Sequence, residues 1–219
     1  MRFPDPYRLA DLTISQLNRS AVRLADQTKR KLVLLGFDEL NVIHSVDAMY
    51  QQIDKNTRRK FKDLFCARYE ELMIYMLGRK LTGKETDIID ELAEMYIFGL
   101  LDEPNATTKY TYQTELLRKR DRAKEAIIAE PTRIQKQVQL DKHLRYTQQM
   151  ISWYADFVSQ GAEIEAYKDA GVKKVQRHET LDKKTCNTCR KADGKVYPID
   201  KVPDLPHLNC RGYFTPVLK

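Results

Sequence analysis

The chain has 219 residues, long for one small domain and short for two large ones, which fits a large body with a small appended module. Charged side chains make up 32% of it and the mean hydropathy is -0.59, values of a soluble protein. No run approaches the ~18 apolar residues of a membrane span, Met73 to Leu77 being the best candidate, and the segment from Met1 to Pro6 lacks the apolar core of a secretory leader. The net charge of +7 favours acidic or polyanionic partners, nucleic acid among them, and four unevenly spaced cysteines argue against a secreted disulfide framework.

The first 160 or so residues read as helix after helix. Leu9, Leu12, Leu17 and Leu24 lead into the run Leu32-Val33-Leu34-Leu35, and Gly36 marks a break. Asp38 is placed to cap a helix carrying Leu40, Ile43, Val46 and Ile53. The clearest helical period follows: Phe61, Leu64, Phe65, Tyr69, Leu72, Met73, Met76 and Leu77 recur at three- and four-residue steps. Cys66 falls inside it as a small buried hydrophobe. Gly78 and Gly83 bracket a turn, after which Ile88, Ile89, Leu92, Met95, Tyr96 and Leu100 continue the pattern to a breaker at Asp102-Glu103-Pro104-Asn105. Thr107 to Glu130 reads as a basic helix with Leu116, Leu117, Ala123, Ile127 and Ile128 on its apolar side. Pro131 suits the first position of a further helix, expected from Thr132 to about Gln160, with Ile134, Val138, Leu144, Ile151, Tyr154 and Val158 as its stripe and Gly161 as its end.

After Gly161 the texture changes. A short helix over 162–170 stopped by Gly171, an extended segment from Val172 to Leu181, and a hairpin signal at Asp193-Gly194 are expected. Four prolines, at 198, 203, 206 and 216, suit irregular backbone and short edge strands. A segment this short and polar needs a staple. Three cysteines and a histidine supply one: Cys186-x-x-Cys189 and His207-x-x-Cys210 are two short-spaced pairs, the arrangement a closed tetrahedral zinc site requires. Such a site leaves no coordination position for a substrate. Two other readings stay open for these residues: a Cys186/Cys189 redox pair, which no thioredoxin-like pattern accompanies, and unligated thiols held by packing. His178 is an alternative ligand to His207. His44 and His143 lie in helical patterns as ordinary side chains. The basic runs Arg58, Arg59, Lys60, Lys62 and Arg118, Lys119, Arg120, Arg122, Lys124 read first as solvated helix surface and second as candidate phosphate contacts.

Three blocks of the tail carry a resemblance. Asp182-Lys183-Lys184-Thr185-Cys186-Asn187-Thr188-Cys189, then Asp193-Gly194-Lys195-Val196-Tyr197-Pro198, then Pro206-His207-Leu208-Asn209-Cys210-Arg211, resemble the C-terminal signature of phage minor head proteins, the head morphogenesis or phage Mu protein F-like family. The match covers about the last fifty residues and departs twice: Leu208 stands where proline is common, and Gly212 where a final cysteine is common. The resemblance implies a structural protein, not an enzyme. Its setting would be the virion head, with host cytoplasm during assembly, and its partners the portal or major capsid protein and packaged DNA. It would be present in multiple copies and act in head assembly, DNA packaging or delivery. Two rivals from other classes are a metal-dependent nuclease using His178, Glu179, Asp193 and Asn209, and a zinc-stapled DNA-binding module. The fold class expected is mainly α: an elongated multi-helix body over 1–160, followed by a small α+β zinc-knuckle-like module over 161–219.

Overall fold

The computed structural model describes residues 3–102, 111–203, 210 and 212–217. Among them the chain is mainly helical, with five long helices, α1 (Arg8–Leu35), α2 (Glu39–Leu77), α3 (Gly83–Asp102), α4 (Tyr112–Ala129) and α5 (Arg133–Asp169). A short module follows: β1 (Lys174–His178), α6 (Asn187–Ala192), β2 (Val196–Pro198), a single 3-10 turn and β3 (Tyr213–Pro216). The expected breaker at 103–105 and the helix start at Thr107 lie outside the described residues, as does the side chain of Leu100.

Local chemistry sets the helix boundaries. Gly36 and Gly78 end α1 and α2 with positive φ, and their amides close back on Leu32 and Ile74. Asp38 caps α2 as expected, its carboxylate accepting the Asn41 N–H. Thr111 and Thr132 cap α4 and α5 in the same way. Thr132 therefore displaces Pro131 from the first helical position expected for it; the proline precedes the cap, where its missing N–H also costs nothing.

The three longest helices form the frame. Side-chain contacts fix their directions: α5 meets α1 through Lys29–Asp141 at one end and Gln148–Asn18 further along, so the two are antiparallel. It meets α2 through Tyr50–Thr147 and Arg68–Glu163, so those two run parallel. At 39 residues, α2 is ~58 Å long, giving the body its elongated form. α3 lies antiparallel on the second half of α2, joined by Lys62–Glu94 and by Cys66–Asp90 at 3.4 Å. Lys124–Asp47 and Arg58–Gln113 hold α4 on the first half.

One apolar core runs through both body and module. α5 supplies Trp153, Tyr154, Phe157 and Val158, and α2 supplies Phe61, Leu64, Phe65 and Leu72. Each such side chain contributes ~1.5–3 kcal/mol of burial free energy. α1 packs differently from expectation. Its buried face keeps the expected Leu17 and Leu32 but is otherwise Ala10, Thr13, Ala21, Ala25 and Thr28, small residues that let α1 lie close to its neighbours, while Leu12 is left outside. Ile134 and Val138 at the start of α5, Leu40 on α2, and Ile88 and Met95 on α3 were expected in core stripes and are exposed instead.

Gly161 does not end α5. The helix continues without interruption to Asp169, through the expected boundary at 160/161, and absorbs the short helix expected over 162–170. Glycine is used there for close approach: a Cβ would overlap the Tyr96 ring and hydroxyl, which reach across from α3. Gly171, with φ 78°, marks the true exit.

Candidate metal centre

β1 is the middle strand of an antiparallel sheet with order β2-β1-β3, Val175 pairing with both Tyr197 and Pro216. Side chains alternate faces along a strand. Val175 and Arg177 point into the module and are buried, while Gln176 and His178 take the other face. His178 is thereby removed from the thiols: its Nε2 pairs with Thr215 Oγ1 at 2.8 Å and its ring stacks on Tyr213. It does not serve as the alternative ligand.

The module is braced against the body. The buried Glu163 of α5 is gripped by Arg68 of α2 and accepts the Phe214 N–H of β3 at 3.4 Å. Tyr167 donates its hydroxyl to the Phe214 carbonyl at 3.1 Å. Ahead of α1, Tyr7 reaches Thr180 at 3.0 Å and packs edge-on against Tyr213.

The Cys-x-x-Cys segment turns into α6. Cys186 is the helix cap, its sulfur accepting the Cys189 N–H at 3.4 Å. Asp193-Gly194 ends that helix, with Gly194 at φ 73°, and delivers the chain to β2; it is a helix-to-strand exit, not the turn of a two-strand hairpin. Gly194 and Lys195 then bond to the Arg177 backbone, and Asp193 Oδ1 accepts the Glu179 N–H at 2.8 Å. These bonds place α6 beside the inner face of β1.

Three of the four expected ligands can be located. Cys189 and Cys210 are buried, with sulfurs 3.6 Å apart, and Cys186 hydrogen-bonds to the Cys189 thiol. His207 lies outside the described residues. Two thiolates ~2.3 Å from one tetrahedral zinc stand ~3.8 Å apart, close to this spacing, whereas a disulfide requires ~2.05 Å. None of the four cysteines is in a disulfide. Glu179 joins the group: one of its carboxylate oxygens and the sulfurs of Cys189 and Cys210 lie within 4.8 Å of one another. This donor set can hold a metal ion, and its sulfur content fits a soft or borderline ion.

Two donors converge on the Cys210 sulfur, although burial leaves its pKa raised. Arg177 donates Nη2 to its sulfur at 3.1 Å and Nε to Glu179 Oε1 at 2.7 Å, and the Gly212 amide also donates to the sulfur. Burial raises the affinity of both Cys189 and Cys210 for their protons, against which the Gly212 amide and the Arg177 charge pull Cys210 back. Metal entry would therefore displace protons and depend on pH. Burial works most strongly against the Arg177 charge, but the hydrogen bond to Glu179 together with the charges of Cys210, Glu179 and Cys189 more than compensates and holds the guanidinium charged. A Cβ at Gly212 would stand 2.6 Å from both Arg177 Nη2 and Glu179 Oε1. The buried ion pair thus fills the space beside the position where the resembling family commonly carries its last cysteine. Glu179 was legible only as a base candidate; the period of two along Val175, Arg177 and Glu179 is the signal that places it on the cysteine side.

The basic runs are mostly neutralised within the chain. Arg58 pairs with Asp54 at 3.0 Å, Lys60 with Asp63 at 3.2 Å and Lys62 with Glu94 at 2.8 Å. Arg120 and Lys124 both face Asp47 and Asp121. Lys119 is half-buried, which lowers its pKa. Arg59, Arg118 and Arg122 are exposed. His143 packs against Tyr146 and His44 is exposed, neither near the thiols.

No helix among the described residues is long and apolar enough to cross a membrane. No family model, curated protein or solved structure matches the chain.

Proposed function

We propose that this chain is a minor head protein of a tailed phage, with a helical body that contacts neighbouring head or portal subunits and a zinc-stapled C-terminal module. The tail motif carries the reading: its separate cysteine blocks supply thiols that converge, with the Cys189 and Cys210 sulfurs 3.6 Å apart. Zinc would be held by Cys186, Cys189 and Cys210, with His207 or Glu179 completing the shell. Its role is to tie α6 to the segment that ends at Cys210, because a shell completed by protein donors leaves no position for water or substrate. Arg177 would act from outside the shell, offsetting thiolate charge and orienting Cys210 and Glu179. The acidic partners of Arg58, Lys60, Arg120 and Lys124 weigh against extensive DNA contact and in favour of protein contacts.

Two measurements test the proposal. Elemental analysis of the purified chain is expected to give about one zinc per molecule, and peptide mass spectrometry of purified particles and procapsids should find the chain in one or both. Absence from every head-related particle refutes the virion role. Zinc-free, fully folded protein refutes the staple. Plasmid cleavage with Mg²⁺ or Mn²⁺ that is lost in His207→Ala would instead favour a nuclease.

A further inference from the structure

Two exposed apolar patches of opposite charge sit on different parts of the body. The first lies at the end of the bundle remote from the module, where α1 stops, α2 starts and α5 starts. Leu34 is 85% exposed and Ile134 is 75% exposed there, with Leu35, Leu40 and Val138 also open to solvent. Arg133 over the Phe37 ring and the Lys29–Asp141 bridge bring these helix ends together. Exposed Arg30, Lys31 and Lys142 stand beside these apolar side chains, with Asp38 and Glu39 the opposing charges. Arg30 and Lys31 fall four and three residues before Leu34, on its face of α1.

The second patch is the outer face of α3. Ile88 and Met95 are 63% and 73% exposed and seven residues apart, hence on one stripe ~10 Å long. Exposed Glu91 lies between them on that stripe and Asp87 borders it, with Lys84 the opposing charge one turn before Ile88; Glu94, also at the border, is bridged to Lys62. An apolar stripe with a carboxylate edge complements an apolar end with a guanidinium and ammonium edge.

One molecule cannot join its own two patches. Lys62 and Cys66 of α2 hold the middle of α3, and Leu40 lies at least 22 residues earlier on the same helix, ~33 Å away. The pairing must therefore be between molecules. Each copy would offer its bundle end to the α3 face of the next, a head-to-tail contact that closes into a ring or continues as a filament, according to its rotation.

We infer that the chain self-associates head to tail, the basic apolar end of one copy docking on the acidic apolar α3 face of another. This inference stands independently of the virion role and of the metal. Each surface rests on only a few exposed apolar side chains, so association is weak and becomes visible only at high micromolar concentration. Opposite charges make it weaken as salt rises.

Sedimentation velocity on the full chain tests it. The wild type is expected to show a concentration-dependent rise in weight-average mass that is larger at low salt. Leu34→Asp with Ile134→Asp, or separately Met95→Lys with Glu91→Lys, should each abolish the rise while circular dichroism stays unchanged. Mixing the two variants supplies the decisive readout. Each retains one intact surface, so the mixture should form a dimer and no larger species. A wild type that is monomeric throughout overturns the inference. So does loss of association in the bundle-end variant alone, which would signal symmetric end-to-end pairing or another partner for that end. A mixture that stays monomeric also overturns it.

Discussion

Replacing Arg68 by methionine is the sharpest probe of how the module is held. Arg68 is fully buried, binds the 97%-buried Glu163 side chain, and also donates to the Asp5 carbonyl at 3.2 Å and to Glu71 at 3.0 Å. Methionine keeps much of the volume but leaves the Glu163 carboxylate with only the long bond from the Phe214 amide. Removing one partner of a buried pair costs ~3–5 kcal/mol, a large part of a typical total of ~5–15 kcal/mol. At ~2–4 °C per kcal/mol for a chain of this size, the melting temperature should fall by roughly 10 °C. Burial already raises the Glu163 pKa, against which Arg68 and the Phe214 amide pull; without Arg68 its folded pKa rises further above the unfolded value of ~4.3. The sign follows: the penalty is absent below the unfolded pKa and grows as pH rises until it passes the folded pKa. Urea denaturation should therefore show a deficit at pH 7 that shrinks toward pH 5, and Arg68→Met with Glu163→Leu should recover much of it. Hydrogen exchange at the Phe214 amide should speed up more than exchange in α2. A pH-independent deficit below ~1 kcal/mol would refute this account of the brace.

Three other outcomes follow from the same structure. Gly161→Ala should destabilise by about 2 kcal/mol despite the better helix propensity of alanine, and Tyr96→Leu should relieve it, measured by chemical denaturation of the single and double variants. Burial, with help from Asp11, raises the Asp156 pKa from its ordinary 3.8 to about 7; stability tied to this group is present below pH 3.8 and lost as pH climbs through 7, so Asp156→Asn should gain roughly 2 kcal/mol at pH 8 and nothing at pH 3.5, after discounting the full shift for partial solvent contact. Cys210→Ser should abolish metal retention on elemental analysis and leave the far-ultraviolet helical signal within a few per cent, roughly, because the three-strand sheet contributes little to it.

Much of the helical body was legible because its punctuation is chemical. Gly36, Asp38 and Gly78 act locally, and the period from Phe61 to Leu77 is dense enough to survive tertiary context. What failed depended on neighbours. Ile134, Val138 and Leu40 fit a helical stripe perfectly well, but the stripe runs past the end of the packed frame. Gly161 looks like a stop because a glycine's two uses, ending a helix and admitting a close neighbour, have the same spelling; only Tyr96 distinguishes them. On the core face of α1 only Leu17 and Leu32 were anticipated; its alanines and threonines were missed because they carry little hydrophobic signal and great steric value. At the centre, the cysteine spacing pointed to a cluster able to hold a metal ion, whereas Glu179 entered through strand alternation and a salt bridge to Arg177.

The brace changes what an ion would have to do. The polarity of the tail suggested a module that folds only around metal. Yet β3 is already fixed to the body through Glu163 and Tyr167, and β1 is paired on both sides. Phe214 is buried in the same core as the body helices. The sheet therefore draws its order from α5 and α2, elements that metal loss leaves intact. What no helix or strand pairing secures is the link between α6 and Cys210, held by thiol contacts, by Arg177 and by the bonds around Gly194. Metal removal should consequently free the Cys186–Cys189 turn while β1 and β3 remain paired, so that chelator-induced exchange concentrates in residues 186–193. If chelation instead exposes the Phe214 amide as strongly as that turn, the ion and not the Arg68–Glu163 brace is what organises the sheet.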